Sequence, residues 1–262
     1  HGFTTPKIFE YDTLTSEDRW GDYFDIILAN PPFMTPKGGI RPHKKFAMQA
    51  NRSEVLFVDY IMEHINPTTG RAGIIVPEGI IFQGATAYKA LRKLLVDKNY
   101  LYAVISLPAG IFQPYSGVKT SILLLDKSLA KKSESILFVK IENDGYALGA
   151  QRKELTTSDL PDAINFINQY NTALRNDDLS SIDFKNLPLS SLLVEKTKIG
   201  ETEDYNLSAD RYKETVVLNT KWEYAKLGDV CKTSSGGTPL RSHPEFYENG
   251  TIPWLKSGEV AQ

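Results

Sequence analysis

The chain has 262 residues, 41% of them hydrophobic and 24% charged, with 30 Lys and Arg against 32 Asp and Glu for a formal net charge of −2. That balance suits a globular protein of one large or two smaller domains, and it excludes the basic excess of a free-standing nucleic-acid binder, so any such contact must come from a local patch or a partner. A single cysteine, Cys231, excludes an internal disulfide and fits a reducing, cytoplasmic setting; with four His it leaves little from which to build a metal site, and neither a membrane-length apolar run nor a signal pattern is present.

In chain order, Lys7–Glu10 reads as a short strand. Asp25–Ala29 is apolar and β-branched and reads as a buried strand, with Ile26 and Ile27 in the core and Asp25 structural. It stops at Asn30-Pro31-Pro32-Phe33. Proline donates no backbone hydrogen bond and fixes φ, so the ladder ends there and the following loop is stiff. Pro36–Gly39 opens a polar loop with a basic run, Lys37, Arg41, His43, Lys44 and Lys45. A solvated loop is the other reading of that run.

Glu54–Ile65 has helical periodicity, with Val55, Val58, Ile61, Met62 and Ile65 on one face and Ser53 as its cap. Arg71–Val76 is a second buried strand, ended by Pro77. Tyr88–Val96 is helical, with Leu91, Leu94 and Leu95 inward and Arg92 and Lys93 on a solvated face. Leu101–Leu107, Thr120–Leu125 and Ile136–Ile141 are strands. The first two lie too close in sequence for a crossover helix and are therefore antiparallel. Their connection, Pro108–Val118, carries Phe112 and Tyr115. Ser158–Leu174 is an amphipathic helix with Ile164, Phe166, Ile167 and Tyr170 apolar, and 176–215, broken by Pro188 and Gly200, reads as a connector. From Thr220 short strand-like pieces alternate with turns at Gly228, Ser235–Pro239 and Asn249-Gly250; Trp254 is a core aromatic of that part. Strand–helix alternation of this kind indicates a doubly wound α/β sheet, which binds ligands at the carboxyl ends of its strands.

Several segments in order resemble the second half of the modification subunit of type I restriction–modification systems, an N6-adenine DNA methyltransferase: DYFDIILANPPF at 22–33, EVLFVDYIMEHI at 54–65, GRAGIIVPEGIIF at 70–82, LRKLL at 91–95, AVISLPAGIFQPYSGVKTSILLLDK at 103–127 and NLSADRY at 206–212. Residues 221–260 resemble the opening of a target-recognition domain of a type I specificity subunit. The resemblance implies a partial S-adenosylmethionine-dependent methyltransferase (Rossmann-like) α/β sheet, mostly parallel with one antiparallel strand, then a helical connector and a small incomplete α+β segment. The corresponding spans are 1–142, 143–219 and 220–262. The glycine-rich loop that cradles the cofactor in this family has no counterpart upstream of Asn30, so the chain reads as a fragment that starts inside the catalytic domain.

Adenine N6 is a weak nucleophile because its lone pair is delocalised. Two acceptors on its hydrogens favour the tetrahedral geometry that attacks a sulfonium methyl. The resemblance gives these roles to the Asn30 side-chain oxygen and the Pro31 carbonyl, with Pro32 stiffening the turn and Phe33 stacking on a flipped-out base. It places Asn30 and Asp12 at the cofactor. Lys37, Arg41, Lys44, Lys45 and, from the later loop, Lys119 are the candidate contacts to double-stranded DNA. The implied partners are the specificity, modification and restriction subunits of one system. Two other readings stay open: a non-catalytic recognition or assembly piece, and a methyltransferase acting on a protein glutamine amide, whose planar nitrogen suits the same box. The missing loop predicts that calorimetric titration of residues 1–262 with S-adenosylmethionine gives weak binding or none; tight binding would contradict the reading of an incomplete cofactor site.

Overall fold

The computed structural model of the protein describes residues 2, 4–33, 35, 37–184, 189–213, 225, 227–232, 243–246 and 248. It divides into two units, 1–214 and 215–262. In the second unit the described residues form a short helix at Leu227–Val230, followed by the exposed Cys231, and a helical turn at Pro244–Phe246. The turns expected at 235–239 and at Asn249-Gly250, the core role of Trp254 and the break at Pro188 lie outside the described residues.

The first unit is a six-stranded sheet of β1 (Ile26–Ala29), β2 (Arg71–Pro77), β3 (Leu101–Ser106), β4 (Thr120–Asp126), β5 (Ser135–Lys140) and β6 (Ser191–Glu195), in the order β1-β2-β4-β3-β5-β6. β1, β2, β3 and β5 point one way, and β4 and β6 run against them. Side chains alternate between the faces, as the pleat requires. Ile74, Val76, Val104, Leu123 and Phe138 meet α1 (Ser53–His64), α3 (Thr86–Asp97) and the shorter α2 (Glu78–Phe82) and α6 (Lys196–Gly200) in one cluster. Ala103, Ile105, Leu137 and Val139 meet α4 (Lys127–Lys132) and α5 (Leu160–Arg175) in a second. Each fully buried Leu, Ile or Val contributes about 1.5–3 kcal/mol, so the two clusters hold the layers together. Asp126 ends β4 and caps α4, its Oδ1 accepting the N–H groups of Ser128 and Leu129 at 2.9 and 3.1 Å. No described helix is long and apolar enough to cross a membrane.

The antiparallel β3–β4 pair is as the short connection required. Elsewhere the structure departs from the sequence expectations. Lys7–Glu10 forms no strand, and Ile8 and Phe9 are exposed; two apolar residues between a Lys and a Glu are too short a run to specify a strand. Nor is β1 buried on both faces. Ile27 and Ala29 pack against the first cluster, but Ile26 is 56% and Leu28 83% exposed on the other. The stretch read as a connector supplies β6, paired antiparallel to β5 from Ser135↔Glu195 to Val139↔Ser191, and α6; its mixed polar composition is that of an edge strand with one covered face. Ser53 is the first residue of α1 rather than its cap, which is Arg52 without a side-chain bond. Ile164 is exposed, because α5 buries the arc of Ala163, Phe166, Tyr170 and Leu174. Gly70 allows the tight turn into β2: a Cβ there would lie 2.4 Å from the Asn66 nitrogen.

The largest correction concerns Arg92, which is fully buried rather than solvated. Its guanidinium donates to the carbonyls of Ile80, Gln83, Asp204 and Tyr205 at 2.6–3.1 Å, clamping the end of α2 and the 204–205 segment to α3. Burial pushes its pKa down to about 10, so it remains a cation at neutral pH. Arg92→Met leaves these carbonyls without a donor and is expected to cost on the order of 3–5 kcal/mol by urea denaturation, with Arg92→Lys recovering only part because one amine cannot span all the acceptors.

Candidate active site at the carboxyl rim of the sheet

The parallel strands β1, β2, β3 and β5 all end at one rim of the sheet. β1 pairs with β2 in the register Ile26↔Arg71 to Ala29↔Ile74, and the chain then leaves the ladder at Asn30. Asn30 and Pro32 are exposed, and Pro31 and Phe33 partly so. The Asn30 side chain makes no hydrogen bond to any described residue, so both its oxygen and its nitrogen face outward unspent. The register is set at the other end of the strand. Phe24 donates to the His64 carbonyl at 2.9 Å and accepts from the Asn66 N–H at 2.8 Å, and Arg71 donates to the Asp25 carbonyl at 3.0 Å. The Asp25 carboxylate accepts from Asn66 Nδ2 at 3.1 Å, which is the structural role expected of it.

The loop after β3 returns to this rim. Phe112 meets Phe33 edge to face, with ring centroids 6.1 Å apart and planes at 68°, a preferred aromatic arrangement. The loop is braced at both ends. Arg152 donates to the Ile111 carbonyl and binds both oxygens of Asp144, with Nη2 2.6 Å from each. Lys119 is ion-paired to Glu78 at 2.9 Å, and its carbonyl accepts the Glu78 N–H at 3.0 Å. Between them Tyr115 is 95% exposed.

The residues singled out from the sequence are only partly gathered. Asn30, Pro31, Pro32 and Phe33 stand together, and Phe112 joins them. Lys119 reaches the same rim, but as the partner of Glu78. Asp12 is exposed and lies in a turn of its own, where its Oδ1 accepts the N–H groups of Leu14 and Thr15 at 3.0 and 3.2 Å. Bonding from Thr15 outweighs the cost of its slight burial and holds its carboxyl below the usual range. Lys37, Arg41 and Lys44 are exposed and make no ion pair with any described residue, whereas Lys45 lies 3.5 Å from Glu17, which also takes His43 Nε2 at 2.7 Å. His64 is buried, stacked on Tyr60 at 3.8 Å and bonded to the Tyr60 carbonyl. The described residues hold no cluster suited to a metal ion.

Sequence reasoning passed over Glu54 and Asp59, two acids buried on α1. Spacing carried the signal: Glu54 falls in step with Val58, Ile61 and Ile65, and Asp59 with Val55 and Met62, so both lie on the arc that helical periodicity assigns to the core. Glu54 bonds Thr35 and Asp59 bonds the Met48 N–H at 2.8 Å, so together they tie the two ends of the loop that carries the basic run.

With this geometry in hand, comparison with known proteins gives a consistent result. Residues 1–220 match the family model described as N-6 DNA Methylase, and residues 219–262 match that of the Type I restriction modification DNA specificity domain. The Type I restriction enzyme EcoEI methylase subunit of Escherichia coli is 33% identical over 135 residues, which covers 50% of this chain and 27% of that subunit, so the chain spans about a quarter of the length of this curated relative. Among solved structures, a chain of a type I R-M system studied for complex assembly and conformational transition superposes with a TM-score of 0.60 at 23% identity, covering 88% of this chain and 45% of its own. A type I restriction-modification methyltransferase subunit from Streptococcus thermophilus gives 0.53 at 24%, covering 76% and 40%. At these identities the likeness speaks for the fold.

Asp59 yields a pH dependence. Its Oδ1 has no partner among the described residues, and burial pushes its carboxyl up to about 6 from 3.8. A raised carboxyl favours the fold below the unfolded pKa and loses that contribution as pH rises through the folded one. Stability is therefore expected to fall between about pH 4 and pH 6 by on the order of 2–3 kcal/mol from this group. Asp59→Asn should flatten that fall in denaturation curves taken across the interval, and an unchanged slope would remove Asp59 as its source.

Proposed function

The chain belongs to the N-6 DNA methylase family, and from that membership and the geometry of the β1 end we propose that it carries the base-binding side of a site that methylates adenine N6 in double-stranded DNA. The observation that carries the reading is the exposed Asn30-Pro31-Pro32-Phe33 turn at the carboxyl end of β1, its amide unspent and its ring set against Phe112. Asn30 Oδ1 and the Pro31 carbonyl accept the two hydrogens of N6, drawing the amine toward tetrahedral geometry and stabilising the charge that develops on it. Pro31 and Pro32 stiffen the turn, so little reorganisation accompanies the reaction. Phe33 stacks on the extruded base, and Phe112 completes the aromatic wall from the β3–β4 side.

S-adenosylmethionine, when bound, supplies a methyl group already activated by its sulfonium, so no metal and no strong base is needed. Two groups here have the chemistry to face it. Asn30 stands where base and cofactor would meet, and Asp12 is a carboxylate kept ionised by its own turn, suited to accept hydrogen bonds from the cofactor's adenine. For DNA, Lys37, Arg41 and Lys44 offer cations that no described acid neutralises, while Lys45 and Lys119 must exchange Glu17 and Glu78 for phosphate. The specificity-domain match over 219–262 favours a DNA substrate over a protein glutamine amide, and a place beside the specificity, modification and restriction subunits of a type I system.

Asn30→Ala in the assembled methyltransferase is expected to lower kcat by about 10²–10³-fold while S-adenosylmethionine affinity changes little, since the lost interaction is with the substrate amine. Near-normal N6-methyladenine formation would refute the role given to Asn30.

A further inference from the structure

After Ala29 the chain has no ladder partner, and two of the next three residues are prolines. The position of Asn30 and Phe33 therefore depends on what holds the chain on either side of them. Upstream it is β1. Downstream, two residues beyond Phe33, it is Thr35. The Thr35 hydroxyl donates to Glu54 Oε2 at 3.1 Å and accepts the Ser53 N–H at 3.1 Å. That N–H belongs to the first turn of α1, where helical amides lack intrahelical partners, and the N-cap Arg52 serves none of them through its side chain. Thr35 thus does a capping residue's work from 18 positions upstream.

Glu54 is the hub of this arrangement. It is only 8% exposed, and its Oε2 also accepts the Ser53 hydroxyl at 3.3 Å, while Oε1 accepts the Tyr88 hydroxyl at 2.5 Å from α3. Burial, reinforced by the bond to this carboxylate, pushes the Tyr88 hydroxyl up to about 12, so it stays a donor. An acid in the first turn of a helix is also favoured by the helix dipole. One carboxylate thereby joins three elements: the loop leaving the Asn-Pro-Pro-Phe turn, the start of α1 and the start of α3.

We propose that Glu54, acting through Thr35 and braced by Tyr88, is a positioning residue that fixes the Phe33 ring and the Asn30 amide over the rim for methyl transfer. The inference rests on the base-binding reading above. A displacement of about 1 Å at a reacting centre costs on the order of 10²-fold in rate, so an anchor this close to the turn governs turnover as well as stability.

The test uses the assembled methyltransferase and a duplex with 2-aminopurine at the target base, whose fluorescence rises when the base is unstacked. Thr35→Val keeps the side-chain shape and removes the hydroxyl. It is expected to lower kcat about tenfold or more, to leave S-adenosylmethionine affinity within about twofold, and to reduce the fluorescence rise on binding. Thr35→Ser is expected to restore most of each. Glu54→Gln, which can still accept from Tyr88 but no longer carries charge, should fall between. The proposal is overturned if Thr35→Val turns over within twofold of the parent, if Thr35→Ser is equally impaired, or if the whole loss disappears on assay well below the variant's Tm. Asn30→Ala run in parallel separates the two readings. An active Asn30→Ala sinks the methyl-transfer assignment itself, whereas an inactive one beside a normal Thr35→Val sinks only the anchor.

Discussion

The parallel register of β1 on β2 is the constraint on which the candidate site depends. Ala29 lies opposite Ile74, so Asn30 is the first residue past the ladder. A slip of one residue would turn Ile27 and Ala29 out of the core and carry the amide to the opposite face of the sheet. β1 has four residues and one neighbour, so its own hydrogen bonds define that register weakly. The precision comes from below, where Phe24 bridges His64 and Asn66 and the Asp25 carboxylate takes the Asn66 amide. The end of α1 and the turn into β2 therefore aim a side chain at the opposite end of the strand.

α1 contributes at both of its ends. Its last turn sets the root of β1, and its first holds the chain that leaves the strand. Between them an aliphatic face packs on the sheet, with Val55, Leu56, Val58 and Ile61 almost fully buried. The helix runs from one rim to the other, and the chain is pinned beside its two ends at Phe24 and at Thr35. Rigid elements hold reacting groups more precisely than free loops do.

Much of this was legible in the sequence, and what was not has common physical causes. The strand runs, the antiparallel β3–β4 pair and the Asn-Pro-Pro-Phe turn follow from local rules: β-branched runs, a connection too short for a crossover, and proline's missing donor. The misreadings need partners that a local pattern does not name. Ile26 and Leu28 look buried by composition, yet burial depends on a covering layer that β1 lacks. Ser191–Glu195 becomes a strand because β5 offers it an edge. Arg92 looks solvated by residue type, but carbonyls from segments 9–113 positions away gather round it. Glu54 belongs to the same class, since its partners come from 19 residues before and 34 after. Phe112 was visible as a loop aromatic, while its place against Phe33 required the sheet order.

The two acids of α1 show how the loop after the turn divides. Glu54 has hydroxyl donors on both oxygens, so neither is left unsatisfied. Asp59 has the Met48 N–H on one oxygen and no described partner on the other, and burial raises its pKa accordingly. A half-satisfied buried carboxylate destabilises the fold that contains it. The near end of the loop, beside Phe33, is thus tied at Glu54, and the far end at Asp59, whose contribution to stability falls as pH rises. Between them lie Lys37, Arg41 and Lys44, exposed and without a described acid. On the proposed function, these cations meet an anionic surface while Glu54 and Asp59 hold the loop at its two ends. Such contacts act largely through a sequence-independent electrostatic term, whereas the proposed acceptors on an exocyclic amine need close geometry.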